Sequence, residues 1–382
     1  VVLGYFYMEK ILMQMQTNDS SRPYSVEWDN ASQKTRASFE DIISKGADEG
    51  EELIDMVMSS IPRDMLANTN KMDFGYEGDS LLIDVGDGKK RMMHQNAVTQ
   101  IATKTGILSK SNVNHFFAQG DWGKELLCRN LQEIYQKINT ERLLIRNIDN
   151  TVMAALSDKY MIVDTVSILS NLLETLSKSN AVVVGAYFSD LKWWIRLVVK
   201  EVFEPVKNEV VMYGLQISNS DFGQGALEIK NFIVRLWCSN LATRDVIMRN
   251  VHLGKQLPVN IEWAKDTIEA NSKTISLKAR DFIANALQPR TIDASIAKIA
   301  EAHEAKVDVE KYLKGAIRSN ITKEECSEIK TIYNNTSNIE LLPSSSGGDN
   351  KWRLSNAFSL VAKSKAPDRR EALESKAGEL LA

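Results

Sequence analysis

Asn219-Ser220-Asp221-Phe222-Gly223-Gln224-Gly225 packs hydroxyl, amide and carboxylate groups between two apolar, β-branched segments. Short polar side chains of this kind either turn the chain by bonding their own backbone or offer donors and acceptors to a ligand, and glycine permits the positive φ that both uses require. The turn is the more economical reading. Asn219, Ser220, Asp221, Gly223 and Gly225, with Asn240 beyond the next strand, therefore form a loop of open role. If the protein carried an enzyme site of unfamiliar type, Asn219, Ser220, Asp221 and Asn240 would be its centre.

A second constellation is Lys192-Trp193-Trp194-Ile195-Arg196, in which large rings alternate with cations. In an extended strand Trp193, Ile195 and Leu197 share one face, and Lys192, Trp194 and Arg196 share the other. Rings flanked by cations on a sheet face are what single-stranded nucleic acid stacks against, although strand aromatics more often fill a core. Arg235, Trp237 and Arg244 extend the candidate patch.

Other chemistry lacks its required spacing. The four histidines, His94, His115, His252 and His303, have no i, i+4 His or Cys partner, and Cys128, Cys238 and Cys326 form no CxxC pair. Gly86-Asp87-Gly88-Lys89 lacks the GxxxxGK[ST] frame of a phosphate loop and reads as a hairpin turn. Asp221-Phe222-Gly223 has none of the companion motifs of a kinase, and no GxSxG elbow is present. No metal or cofactor is called for, and neither stoichiometric zinc or iron nor ATP hydrolysis is expected.

Bulk properties narrow the partners. With 47 basic and 50 acidic residues the net charge is −3, so any nucleic-acid contact must use a local patch. The apolar runs fall far short of the ~20 residues that a spanning helix needs, which speaks against a membrane partner. Scattered, odd-numbered cysteines fit a reducing, cytoplasmic compartment. Val1 to Tyr7 are set aside as a leader, since Met8 offers an alternative start.

The elements that must position these residues make an α+β fold: a central, mostly antiparallel sheet flanked by N-terminal and C-terminal helical regions. Helical spacing at Phe39, Ile42, Ile43, Leu53, Ile54 and Val57, closed by Pro62, makes residues 1–71 a helical arm. Residues 72–141 read as a hairpin plus helices. Residues 142–255 read as the sheet core, one contiguous sheet from 142 to 238 with a helix inserted at 164–176. Residues 256–342 are helical, punctuated by Pro289 and Thr322; 343–350 (PSSSGGDN) is a loop or linker, and 351–382 is a last helical segment.

Several of these pieces together resemble the phage and plasmid-like proteins grouped as domain of unknown function 932. They are Arg142-Leu143-Leu144-Ile145-Arg146 running into Ala155 to Tyr160, the stretch GLQISNSDFGQGAL at 214–227, Val234 to Asn240, and Trp352-Arg353-Leu354-Ser355-Asn356-Ala357 near the end. The resemblance covers roughly 96–382; its departure is Leu241, where the family usually has glycine. It implies a place on mobile DNA in a bacterial host, and no catalytic residues. Together with the aromatic and cationic strand, it makes a non-catalytic DNA-metabolism accessory that binds or anneals single-stranded DNA the first expectation. A structural or assembly protein of a phage particle or replication compartment is the second, and a homo-oligomer is compatible with either.

Overall fold

A computed structural model of the chain describes residues 22–26, 33–137, 141–235, 240–250, 265–335 and 349–381. It is an α+β fold with two sheets. The first is built from β2 (Arg63–Asn68), β3 (Asp73–Glu77), β4 (Ser80–Asp84), β5 (Lys90–Met93), β6 (Arg142–Ile148) and β7 (Thr151–Ser157), in the order β2-β6-β7-β5-β4-β3. All its pairings are antiparallel except β5 with β7. The expected hairpin is β4–β5. Gly86 and Gly88 take φ of 98° and 77°, and the Asp84 carboxylate accepts from the backbone N–H groups of residues 86, 87 and 88 at 2.8, 3.1 and 3.1 Å. The donors a phosphate would use are thus already held by the protein's own carboxylate.

Three helices, α2 (Gln95–Lys104), α3 (Lys110–Ala118) and α4 (Asp121–Tyr135), cover one face of this sheet. They bury Ile101, Val113, Leu127 and Leu131 against Ile83, Ile145 and Val152.

The second sheet holds β8 (Ala181–Phe188), β9 (Trp193–Val199), β10 (Val202–Val206), β11 (Glu209–Asn219), β12 (Leu227–Arg235) and β13 (Asn240–Asn250), with β1 (Ser25–Val26) beside β10. The strand β11 is long enough to pair with β10 through its first half and β9 through its second, with β12 along its other edge. Alternation sends Ile195, Leu197, Tyr213, Leu215, Ile217 and Ile233 into the main core. There they meet α5 (Thr165–Ser177), α6 (Lys265–Ala286), α7 (Pro289–Glu304) and α10 (Lys351–Lys363). Val198, Met212, Phe232 and Val234 face the other way and pack with Phe39, Ile42 and Ile43 of α1 (Gln33–Ser59). Helix α1 also shields the β8 edge, where Glu49 Oε2 accepts from the Ala186 N–H at 2.9 Å.

The remaining helices, α8 (Val309–Arg318), α9 (Lys323–Asn334) and α11 (Pro367–Glu379), complete the helical C-terminal region. Pro289 starts α7 and Thr322 caps α9, as their positions in the sequence suggest.

Two expectations are corrected. Residues 142–238 do not form one sheet: β6 and β7 pair with β2 and β5, so the first sheet draws on residues 63–157 and cuts across the boundaries at 71 and 141. The physical reason is that the inner residues of β6 and β7 are buried on both faces, which a strand lying between two layers requires. The helical arm ends before β2 for the same reason, since Met65 and Ala67 belong to the first sheet's core. The inserted helix does pack on the second sheet, through Ile168, Leu169, Leu172 and Leu176. Val1 to Tyr7 and nearly all of the 343–350 loop lie outside the described residues.

Candidate functional site

The strand of rings and cations alternates as its sequence dictates, but its second face is covered. Trp193 is buried and its indole N–H donates to Thr165 Oγ1 at 2.8 Å. On the opposite face Trp194 stacks on Tyr187 at 5.8 Å, with the Arg196 guanidinium 4.7 Å from its ring. Arg196 is only 8% exposed: it donates to Gln216 Oε1 at 2.7 Å and to Glu374 Oε2 of α11 at 2.8 Å.

Gln216 is in register with both Arg196 and Lys230, so the three form one row across β9, β11 and β12. Lys230 is met in turn by Glu228 and by Glu371 of α11 at 2.8 and 2.7 Å. Arg235 sits on the other face of the sheet, sharing the side of Ile233. It is clamped by two hydrogen bonds to the Glu209 carboxylate at 2.9 and 2.8 Å, beneath the ring of Trp352.

The expected basic patch is therefore corrected. Arg196 and Arg235 are buried on opposite faces, each against a carboxylate, because a guanidinium leaves water only when paired. Lys192 is half-buried at the β8–β9 turn. Trp237 lies outside the described residues, and for Arg244 and Asn240 only the backbone in β13 is described.

The polar loop at 219–225 leaves the end of β11 and docks on the first sheet. Asn219 is buried and its amide donates to Val163 O at 3.1 Å, Thr165 Oγ1 at 3.3 Å and Asp221 Oδ1 at 3.3 Å. The Ser220 hydroxyl donates to Leu191 O at 2.6 Å and accepts from the backbone of Phe222 at 3.2 Å and Gln224 at 3.0 Å. Its hydrogen-bonding capacity is spent on the turn, which leaves no activated nucleophile.

Phe222 inserts its ring among Leu144, Met153, Ala154 and Leu156 of the first sheet. Its carbonyl accepts from Asn96 Nδ2 at 3.1 Å and Gln100 Nε2 at 2.8 Å. Gly223 has φ of 76°, and an added Cβ would come within 2.8 Å of Leu156. Gly225 is exposed.

Sequence inspection missed the residue that organises this junction. Arg146, with its side chain 2% exposed, donates to Asp64 Oδ1 at 2.8 Å, to the Asp221 carbonyl at 2.7 Å and to Asp164 Oδ1 at 3.4 Å. Burial alone would lower its pKa, but Asp221 and Asp64 more than offset that and raise it. The available signal was a cation at an inward position of the apolar run Leu143-Leu144-Ile145-Arg146. Across the same junction His94 caps α2 by accepting from Asn96 N at 3.1 Å through Nδ1, while Nε2 reaches Asp190 at 2.9 Å. Both ring nitrogens are thus engaged.

Asp221 gives the junction a pH dependence. Burial pushes its carboxyl up to about 6, and the pull of Arg146 only partly opposes this, because Arg146 bonds the Asp221 main chain rather than its carboxylate. Between the ordinary value of 3.8 and about 6, the folded chain holds a proton that the unfolded chain releases. Stability from this group is full below the lower value and lost as pH rises through the upper. Asp221→Asn is expected to remove that loss, so the stability of the variant relative to the parent should rise by at most about 3 kcal/mol from pH 4 to pH 7. Urea unfolding of both proteins at several pH values measures it, and parallel curves would sink the idea.

Among the described residues no group of three or more His, Cys, Asp or Glu side chains could hold a metal, and no helix is long and apolar enough to cross a membrane. Compared with protein-family models, curated proteins and solved structures, the chain matches none. The arrangement at the loop is a mechanical lock: donors, acceptors and one aromatic plug that fix the second sheet to the first.

Proposed function

We propose that the chain is a structural or assembly protein, working through contacts with other macromolecules, of the kind a phage particle or replication compartment uses. The observation that carries this reading is where large apolar side chains reach solvent. Of the eleven that are exposed among the described residues, eight fall between residues 56 and 126: Met56, Met58, Ile61, Leu66, Met92, Ile107, Trp122 and Leu126. They belong to the end of α1, to the first sheet and to the helical layer that covers it, and exposed apolar side chains mark protein contact surfaces where they adjoin one another. The resemblance to phage and plasmid-like proteins is compatible with this setting.

The second reading is single-strand binding or annealing, favoured by the Tyr187–Trp194 stack with its cation. Three carboxylates, Glu228, Glu371 and Glu374, around the same row weaken its attraction for phosphate.

Two measurements on the purified protein decide between them. Sedimentation over a wide concentration range is expected to show a rising average mass, and anisotropy with a labelled single-stranded oligonucleotide at low salt is expected to show no saturable binding. Tight, salt-sensitive oligonucleotide binding by a strictly monomeric protein would overturn the assembly reading and restore the other.

A further inference from the structure

We infer that β2 is a docking edge for a second copy of this chain, pairing antiparallel with its own equivalent about a two-fold axis at Leu66. This rests on the assembly reading and names its interface. The strand lies at the end of the first sheet, with β6 on one side only. Thr69 N donates to Glu141 O at 2.9 Å, and the Arg63 carbonyl accepts from Asn147 at 3.5 Å, both on the β6 side. By alternation residues 63, 65 and 67 turn their backbone groups to β6, while Asp64, Leu66 and Asn68 turn theirs outward.

Two other sheet edges are covered. The β8 edge bonds to Glu49 of α1, and the β3 edge donates from Phe74 N to Gln132 of α4 at 2.7 Å. Among the described residues the outward groups of β2 have no such cover, and Leu66 is 53% exposed at the open end of the buried row Leu144–Leu156. An edge strand with unpaired N–H and C=O groups and an apolar side chain is a template for another strand.

What identifies the occupant as a second copy is the strand's self-complementarity. The outward residues are symmetric about Leu66, so a two-fold axis there opposes Leu66 with the partner's Leu66 and Asp64 with the partner's Asn68. On the other side of the strand Arg63 meets the partner's Thr69, and Met65 meets the partner's Ala67. A carboxylate faces an amide donor, apolar faces apolar, and no like charges are opposed, which is what cross-strand pairing requires. Such an interface is isologous and closes at two copies, joining two six-stranded sheets into one continuous sheet. Two six-residue strands alone bury less than a stable dimer needs, so the expected Kd is on the order of 10–100 µM.

The test is trapping. In a hydrogen-bonded antiparallel pair opposing Cα atoms lie about 5.5 Å apart, inside the range a disulfide spans. Only a residue on the axis meets itself. Under mild oxidation of the full chain, Leu66→Cys is expected to form a covalent dimer at least about tenfold faster than Ile107→Cys, an exposed control away from the edge. The unmodified chain is oxidised in parallel to correct for its native thiols.

Leu66→Lys, which opposes two like charges on the axis, is expected to abolish concentration-dependent association while circular dichroism shows an unchanged fold. Equal crosslinking of the two cysteine variants would hand the edge to a foreign strand or to solvent and overturn the inference. Association that survives Leu66→Lys would overturn it as well and leave the assembly reading standing, whereas tight oligonucleotide binding by a monomer removes that reading itself.

Discussion

Replacing Glu209 with Ala is expected to cost about 3–5 kcal/mol of stability. Glu209 is fully buried and Arg235 is 2% exposed, and two hydrogen bonds tie the carboxylate to the guanidinium. Removing the carboxylate leaves a cation buried beneath Trp352, and the ring face 5.8 Å away offers far less than a carboxylate does. The size of the effect comes from the buried charge that loses its carboxylate and does not measure the worth of the pair. A double variant, Glu209→Leu with Arg235→Met, is therefore expected to recover most of the loss, since apolar residues of similar volume replace buried ion pairs at little cost. Arg235→Lys should fall between the two, because an ammonium cannot make the two-pronged contact. Urea unfolding followed by circular dichroism ranks the variants. If Glu209→Ala lost less than about 1 kcal/mol, the pair would be solvated and not an internal support.

How far the sequence could be read depends on the distance over which each feature is decided. The β4–β5 hairpin, the start of α7 at Pro289 and the cap of α9 at Thr322 are fixed within a few residues, and all were legible. So was the alternation of Lys192 to Val199, because the side-chain period of a strand is local. What covers a strand face is not local. Glu371 and Glu374 approach Lys230 and Arg196 from α11, and the sequence separation of 178 between Arg196 and Glu374 hides a neutralised row behind a run that looks cationic. The partition into two sheets was hidden in the same way, since β6 takes β2 as its neighbour across more than seventy residues. The loop at 219–225 was legible as a turn. Its role as a lock was not, because Asn96, Gln100 and Arg146 complete it from another part of the chain.

That lock carries the second large effect. Phe222→Ala is expected to cost about 3–5 kcal/mol, the range for deleting a buried ring from a packed site. The ring is 5% exposed and fills a pocket made by Leu144, Met153, Ala154 and Leu156. The residue that holds it belongs to the β11–β12 connection of the second sheet, so the plug joins two layers that otherwise have separate cores. Loss of the ring should therefore do more than lower stability: it should uncouple the layers, and a single thermal transition should become two in calorimetry. Arg146→Ala acts on the same junction by stranding the Asp221 carbonyl and freeing Asp64 and Asp164. In a double-mutant cycle the two substitutions are expected to show an interaction of about 0.5–3 kcal/mol, because each removes part of what the other leaves standing. Strict additivity, or one unsplit transition at the parent's temperature in Phe222→Ala, would mean that the loop only turns the chain and that some other contact fixes the two sheets together.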